Sequence, residues 1–165
     1  MAREWEQANG LQRVLRRFAA SGPGSWLFAR ILDRLDRLTF RLTRGKHMFS
    51  SALSALPVAM VTTTGARSEE PRTVPLLAMP AADGMALIGS NYGRPKHPAW
   101  RHNLRVNPDG EIDVAGERWR FRAEEVEDER RERIWQEALR TYPGFTAYAK
   151  RAAPRRISVF VLHRA

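Results

Sequence analysis

The sequence has no cysteine among its 165 residues, and this absence removes several kinds of chemistry. Without cysteine there is no disulfide framework, no thiolate metal site and no cysteine nucleophile. Histidine is scarce as well, with four residues, and the nearest pair, His97 and His102, has Pro98 between its members. Because this spacing does not suit a zinc site, we expect no bound metal.

Long apolar runs are also missing. No stretch approaches the roughly 20 apolar residues that a transmembrane helix requires. The first residues lack the basic start, apolar middle and small-residue cleavage site of a secretory signal peptide. We therefore expect a cytoplasmic protein, and for this length one domain with an appendage is the simplest organisation.

Positive charge, in contrast, is abundant and uneven. The net charge is +10, and residues 1–46 contain ten Lys or Arg against four Asp or Glu, so this segment holds most of the excess. Apolar side chains recur there at helical spacing, at Leu11, Val14, Leu15, Phe18, Phe28, Ile31, Leu32, Leu35, Leu38 and Leu42. We predict a basic amphipathic helical extension over residues 1–46 and a folded domain over residues 47–165.

The amphipathic extension has three interpretations that composition leaves open. In the first, its apolar stripe packs on the domain or on a second subunit. In the second, it lies on an anionic membrane surface, with Leu and Phe at the acyl boundary and Arg among the headgroups. Nucleic acid is the least favoured partner, because the sequence has no recognition motif and no basic surface interleaved with aromatics.

Residues 47–165 have the pattern of short strands with few helices. Strands are predicted at Val58–Thr63, Arg72–Met79, Met85–Gly89, Glu111–Val114, Glu117–Ala123 and Arg156–His163. Helices are predicted at Asp128–Arg140 and Phe145–Arg151, on either side of a break at Tyr142-Pro143-Gly144. Pro75 indicates a sheet edge or a bulge. The pattern predicts an α+β fold around a small antiparallel barrel of about six strands.

Two polar loops follow predicted strands and carry the chemistry. The segment Thr62–Leu76 places a glycine turn, Arg67 and Arg72 between two apolar runs, an arrangement in which guanidinium groups and backbone N–H groups converge on an anion. The segment Gly89–Leu104 is also polar and contains two glycines, two prolines and a tryptophan. Together the loops indicate a flat, anionic cofactor.

A third group is aromatic. Tyr142, Phe145 and Tyr148 are spaced to share a helical face. Such a face either packs in the core or forms the wall of a substrate pocket. In the second case a phenol, which is protonated at neutral pH, can donate a proton or a hydrogen bond.

Several of these segments occur in the order and spacing of a known family. They are Thr64-Gly65-Ala66-Arg67-Ser68, Pro71-Arg72-Thr73-Val74-Pro75-Leu76, Ser90-Asn91-Tyr92-Gly93-Arg94-Pro95-Lys96-His97-Pro98-Ala99-Trp100, Asn103-Leu104, Asn107-Pro108, Tyr142-Pro143-Gly144-Phe145 and Tyr148. Together they resemble the deazaflavin-dependent nitroreductase family, whose members use coenzyme F420 on a split β-barrel. The resemblance runs from about Leu56 to the end of the sequence.

The resemblance implies roles for individual positions. Around the phosphate and acidic tail of the cofactor it places Arg67, Ser68 and Arg72. Around the deazaflavin ring it places Pro75, Leu76, Ser90, Asn91, Tyr92 and Gly93. In the loop over the cofactor it places Lys96, His97, Pro98, Trp100 and Asn103. On the substrate side it places three catalytic hydroxyl groups, from Ser90, Tyr142 and Tyr148, and Phe145 stands where a pocket tyrosine is frequent.

The activity implied by the resemblance is reduction by F420H2. We expect hydride transfer from reduced F420 to a flat apolar acceptor such as a quinone, an enone or a nitroaromatic, with FMN less favoured as cofactor. Helices like residues 1–46 are linked in the family with membrane association and quinone substrates, and split barrels often pair as homodimers. The alternative function is a non-catalytic split-barrel binder of FMN, haem, a fatty acid or F420, and a third is a basic adaptor for nucleic acid or membrane.

Overall fold

A computed structural model gives the architecture of the folded domain. It describes residues 58–165 and, before them, the single positions Gly10, Val14, Ser21, Leu35, Leu38, Thr39 and Leu42. Most of the predicted amphipathic extension, and its boundary at residues 46 and 47, therefore lie outside the described residues.

Six strands form the body of the described domain. They are β1 (Val58–Thr64), β2 (Pro71–Ala81), β3 (Gly84–Ile88), β4 (Asp109–Val114), β5 (Glu117–Val126) and β6 (Val159–Arg164). They close into a barrel in the order β1-β2-β3-β6-β5-β4, and every neighbouring pair is antiparallel. The expected six-stranded antiparallel barrel is thus confirmed.

The central strand of the core is β6, which is buried on both faces. Phe160 and Leu162 point into a cluster that fills the barrel, where they meet Phe121 from β5. Val159 and Val161 alternate with them and join a second cluster beneath the helices. Because side chains alternate across a strand, four consecutive apolar residues can serve two cores at once.

Within residues 58–165, three α-helices cover the barrel: α1 (Ala99–Val106), α2 (Asp128–Thr141) and α3 (Phe145–Ala152). The predicted break between the last two helices is confirmed at Tyr142–Gly144. Arg101 and Arg105 of α1 both bind Glu125 of β5, at 3.0 and 2.5 Å, which fixes α1 against the barrel.

Several predicted strand boundaries were wrong by one to three residues, and one predicted loop contains a helix. The segment Gly89–Leu104 is not a loop throughout, because α1 begins at Ala99 directly after Pro98. The residues Trp100, Asn103 and Leu104, three and four positions apart, form the buried face of this helix. The closing strand begins at Val159 rather than Arg156, since the preceding residues connect α3 to β6.

Candidate functional site

The barrel wall is open along one half of β2. Residues 71–77 of β2 pair with β1, whereas β3 pairs with β2 only over residues 78–81. In the part of the chain that the structure describes, Pro71–Leu77 therefore has a strand on one side only, and this stretch is called the open edge. Backbone N–H and C=O groups on such an edge are available to a ligand. The prediction that Pro75 marks a sheet edge is confirmed.

The open edge exists because the chain leaves the sheet after β3. Continuing the register of β2 and β3 would bring Ser90 opposite Pro75. Instead Gly89 donates its backbone N–H to Ser158 O over 2.8 Å, and the chain turns away into residues 89–98, here called loop B. Pro75 and Leu76 thus lie on the edge that faces the start of loop B.

Loop A, residues 65–70, joins β1 to β2 at the far end of the open edge. It is closed by two backbone hydrogen bonds of 2.9 Å between Gly65 and residues 69 and 70. Arg67 and Ser68 are exposed on it. Arg72 lies beside them at the start of β2 and donates to Ser68 Oγ at 3.3 Å and to Glu70 Oε2 at 2.9 Å. Loop A thus carries basic groups at the surface, with Arg72 engaged by a carboxylate of the same loop.

Asn103 connects loop A to α1. Its Oδ1 accepts a hydrogen bond from the backbone N–H of Ala66 at 3.0 Å, and its Nδ2 donates to Thr63 Oγ1 at 2.9 Å. Both ends of this buried amide are therefore used within the protein. The predicted contact of Asn103 with a cofactor remains a prediction, and the observed contacts fix the shape of loop A.

Loop B has a tight turn at its start. Asn91, Tyr92 and Gly93 have φ values of 46°, 55° and 77°, in the left-handed region that is sparsely populated by residues other than glycine. A side chain at Gly93 would place its Cβ 2.9 Å from Tyr148 O, so only glycine allows this approach to α3. The Asn91 side chain closes the loop by donating to the backbone oxygen of Lys96 at 2.9 Å.

His97 is the titratable group of loop B. Its Nδ1 is buried and has no hydrogen-bond partner. Burial lowers the pKa of His97, and the positive charges of Arg101 and Arg155 lower it further, so the imidazole is neutral at pH 7. The neutral ring therefore leaves one buried nitrogen of loop B without a hydrogen-bond partner.

Pro98 and Trp100 lie at the start of α1. Both are buried, and the Trp100 ring meets the Phe160 ring edge-on at 5.5 Å inside the barrel. Trp100 therefore anchors the first turn of α1 in the core, and its predicted cofactor contact remains a prediction.

The aromatic group lies together on the α3 side of loop B. Tyr142 occupies the break before α3 rather than α3 itself, yet its Oη lies 3.1 Å from the Oη of Tyr148. The Tyr148 ring in turn meets the ring of Tyr92 at 6.1 Å. Burial raises the pKa of Tyr142, and the nearby Tyr148 raises it further, so its phenol stays protonated at neutral pH.

One residue of the site was missed by the sequence predictions. Arg155, between α3 and β6, donates to the backbone oxygens of Gly89, Ser90 and Arg94 at 3.0, 2.8 and 2.9 Å. No local pattern marks this arginine, because its partners lie more than 60 positions earlier in the chain.

Among the described residues, no group of three or more His, Asp or Glu side chains is placed to hold a metal ion. None of the helices in that same part of the chain is long and apolar enough to cross a membrane.

Comparison with known proteins matches these features to one family. The model of the F420H(2)-dependent quinone reductase family matches residues 34–164. An F420H(2)-dependent quinone reductase of Mycobacterium tuberculosis is 35% identical over 136 residues, which cover 81% of this chain and 90% of that protein.

Solved structures agree with the sequence match. An F420-H2 dependent reductase is 34% identical with a TM-score of 0.60, and the match covers 65% of this chain and 94% of that one. A structure described as a domain-swapped dimer is 29% identical with a TM-score of 0.62, covering 86% and 100% of the two chains. The resemblance to deazaflavin-dependent reductases and the split-barrel fold are confirmed.

The residues around the open edge fit the cofactor that this family uses. Basic groups lie at one end, around Arg72, and the other end, beyond Leu76, is where the pairing with β3 begins and the chain turns off into loop B. From Arg72 to Leu76 the strand rises by four residue steps, about 13 Å, which suits a ligand with a flat ring at one end and anionic groups at the other. The chain belongs to the F420H(2)-dependent quinone reductase family, and it is an oxidoreductase whose cofactor is coenzyme F420.

Proposed function

We propose that this reductase transfers a hydride from reduced F420 to a quinone, and that the reaction takes place between the open edge of β2 and loop B. The observation that carries the proposal is the open edge itself, where backbone groups beside Pro75 and Leu76 face the start of loop B. Reduced F420 supplies the hydride when it is bound. The protein binds the cofactor and the quinone, orients them and polarises the quinone.

Arg67, Ser68 and Arg72 are the proposed site for the phosphate and acidic tail of the cofactor. Arginine suits this role because its planar guanidinium forms charge-assisted hydrogen bonds with phosphate and carboxylate groups. The 3.3 Å contact between Arg72 and Ser68 supports the proposal, since it places a hydroxyl and a guanidinium side by side at the surface.

Loop B is the proposed partner of the ring. Ser90, Asn91, Tyr92 and Gly93 form the turn nearest the open edge. Lys96, His97 and Pro98 continue the loop, and the unused Nδ1 of His97 supports a polar contact there. The Trp100 ring packs against Phe160, and the Asn103 side chain donates a hydrogen bond to Thr63. These two residues would therefore support the site rather than line it.

The hydroxyl groups of Ser90, Tyr142 and Tyr148 are the proposed partners of the acceptor. Reduction of a quinone to a quinol adds one hydride and one proton, so negative charge develops on the acceptor oxygen before the proton arrives. A phenol or serine hydroxyl stabilises that charge by donating a hydrogen bond. The contact of 3.1 Å between the Tyr142 and Tyr148 hydroxyl groups supports this role, because it places two phenols side by side. The proton itself comes finally from solvent.

A quinone is preferred over an enone or a nitroaromatic as the acceptor. The matching relatives are named quinone reductases. In the aromatic group Phe145, which has no hydroxyl, packs edge-on against Tyr142 at 5.2 Å. Compared with a site that has tyrosine at this position, the site therefore has one phenol fewer for orienting a nitro group.

The acceptor is tested by comparing kcat/KM for a short-chain naphthoquinone, a cyclic enone and a nitroaromatic, with F420H2 at saturation. A clear preference for the quinone supports the proposal, and a preference for the nitroaromatic contradicts it. The enzyme reading is favoured over a non-catalytic binder of FMN, haem or fatty acid, since the family is one of reductases.

We further propose that residues 1–46 bring the enzyme to the inner face of the cell membrane. Leu38 and Leu42 are 53% and 74% exposed, and Arg37 and Arg41 stand next to them in the sequence. Exposed leucines flanked by arginines suit an anionic bilayer surface. Cosedimentation with anionic and neutral vesicles tests this. Retention on anionic vesicles that is lost in the Leu38→Gln/Leu42→Gln variant supports it, and equal retention of both proteins contradicts it.

A homodimer is the proposed assembly, because the similar solved structure at 29% identity is described as a domain-swapped dimer. Light scattering after size exclusion tests it. A mass of twice the chain supports the proposal, and the mass of one chain over the whole concentration range contradicts it.

A further inference from the structure

Arg155 forms four hydrogen bonds with the backbone of loop B. Its Nη1 donates to Gly89 O at 3.0 Å, and its Nη2 donates to Ser90 O at 2.8 Å and to Arg94 O at 2.9 Å. Its Nε also donates to Arg94 O, at 3.1 Å. One guanidinium thus gathers carbonyl groups from both ends of the turn.

The turn needs such a partner because its backbone is strained. Asn91 and Tyr92 both have left-handed φ values, which bring Cβ close to the following carbonyl oxygen. The chain has also left the barrel at Gly89, so strand pairing no longer satisfies its carbonyl groups. Arg155 supplies hydrogen bonds to Gly89 O and Arg94 O and shares Ser90 O with the backbone N–H of Gly93. These charge-assisted bonds offset the strain.

A neighbouring arginine extends the same contact. Arg151 of α3 donates to the backbone oxygen of Tyr92 at 3.2 Å, and its guanidinium lies 5.1 Å from the centre of the Tyr148 ring. Loop B is therefore fixed from the side of α3 and β6, while the start of the loop faces the open edge of β2.

Arg155 does not belong to a surface ion pair. Within residues 58–165 it forms no salt bridge with a carboxylate, and its guanidinium is half-buried against backbone oxygens. Arg156, the next residue, behaves differently, because it is exposed and pairs with Glu127 at 3.2 Å. The two adjacent arginines thus make different contacts, and Arg156 is a matched control for Arg155.

We propose that Arg155 is the positioning residue of the cofactor site, whose guanidinium holds residues 89–94 in the shape that meets the deazaflavin ring. This inference depends on the proposed function, which places the ring beside loop B. Lysine cannot replace arginine here. An ammonium is a single point of charge on a flexible stem, whereas a guanidinium presents five N–H groups in a fixed plane to separate acceptors.

The test compares Arg155→Lys and Arg155→Met with Arg156→Lys and Arg156→Met in the full chain. Two quantities are measured: hydrogen exchange of the backbone amides of residues 89–96 without cofactor, and F420 affinity by fluorescence titration. In a separate experiment, millimolar methylguanidinium is added to the Arg155→Ala variant, with ethylammonium as the control cation. This rescue separates a positioning role from a general loss of stability.

We expect both Arg155 variants to exchange faster in residues 89–94, with exchange in β1, β4 and β5 unchanged. We expect their F420 affinity to fall by about tenfold or more, the loss of charge-assisted hydrogen bonds. The Arg156 variants should match the wild type, and methylguanidinium, but not ethylammonium, should restore affinity to Arg155→Ala.

Wild-type affinity and wild-type exchange in Arg155→Lys would overturn the inference. If the wild type itself binds no F420, the proposed function fails, and hydrogen exchange alone still decides whether Arg155 holds the loop. If Arg155→Met does not fold, Arg155→Lys, which keeps the charge and most of the length, decides the question.

Discussion

Asn103 and Thr63 join helix α1 to strand β1, through a hydrogen bond of 2.9 Å from Asn103 Nδ2 to Thr63 Oγ1. The other end of the same amide accepts the backbone N–H of Ala66 in loop A. One side chain thus links the helix after loop B to the loop at the far end of the open edge. The two halves of the proposed F420 site are held in register by this link.

Replacing Asn103 should loosen loop A. We expect Asn103→Ala to lower the free energy of unfolding by about 1–3 kcal/mol, because a buried hydroxyl and a backbone N–H lose their partners. F420 affinity should fall with it, since the altered loop carries Arg67 and Ser68. Urea unfolding and F420 titration measure the two effects.

The control for this variant is Asn107→Ala, which removes the same side chain one turn later, where α1 ends. It should leave F420 affinity unchanged. Equal losses of affinity in the two variants would show that Asn103 has no special part in shaping loop A.

Glu70 should compete with the cofactor tail for Arg72. The two side chains are bonded at 2.9 Å, yet both are mostly exposed, so the pair contributes no more than about 1 kcal/mol. We expect Glu70→Gln to release Arg72 and to raise F420 affinity by up to about fivefold. The gain should shrink as salt is added, because exposed charges are screened.

The control is the neighbouring Glu69→Gln, which also removes one negative charge from loop A but leaves the ion pair between Glu70 and Arg72 intact. If simple charge repulsion were the cause, both variants would gain equally. A larger gain in Glu70→Gln identifies the ion pair as the cause, and no gain in either variant argues against a tail site at Arg72.

His97 should make the fold less stable in mild acid. Its pKa is lowered in the folded protein by burial and by Arg101, Arg155 and His102, while Glu125 opposes the shift. Between that lowered pKa and the ordinary value near 6.5, the unfolded chain binds more protons, so stability rises with pH through this window. Above pH 6.5 the contribution of His97 is fully present, and it is lost as the pH falls.

Comparing wild type with His97→Gln by urea unfolding at pH 7.5 and pH 5.5 measures this contribution. The wild type should lose more stability on acidification than the variant, which has no titrating ring. Parallel losses in the two proteins would mean that His97 is not buried against these charges.

Gly93 should tolerate no side chain. A left-handed φ of 77° is unfavourable for alanine by about 1–2 kcal/mol. The close approach to Tyr148 O adds to this cost, so Gly93→Ala should displace loop B from α3 and lower F420 affinity.

Gly116, in the turn between β4 and β5, has a similar φ of 84° but is exposed. Gly116→Ala should therefore show the backbone cost alone and keep F420 affinity. If the two variants lose the same stability and both bind F420 normally, the packing of Gly93 on Tyr148 does not shape the site.

The barrel could be predicted because its strands and turns are marked by patterns of neighbouring residues in the sequence. Alternating strands such as Glu117–Val126 and a break such as Tyr142–Gly144 are visible in a few consecutive residues. Pro75 was also informative, since a residue without an N–H is tolerated where the strand has a neighbour on one side only.

The contacts that shape the site could not be predicted in this way. Arg155 meets Gly89 across 66 positions and Asn103 meets Thr63 across 40, and neither spacing belongs to a periodic pattern. Helix α1 was missed because polar and proline residues precede it, although Trp100 and Leu104 have helical spacing. Sequence motifs predicted which residues belong to the site, and the fold shows which contacts hold loops A and B in shape.

The most direct test of the account is a fluorescence titration of the wild-type protein with F420 and, separately, with FMN, repeated with Arg72→Ala. We expect micromolar or tighter binding of F420, a clear preference over FMN, and weaker F420 binding in the variant. Preference for FMN, or equal F420 affinity in the two proteins, would contradict a cofactor site along the open edge of β2.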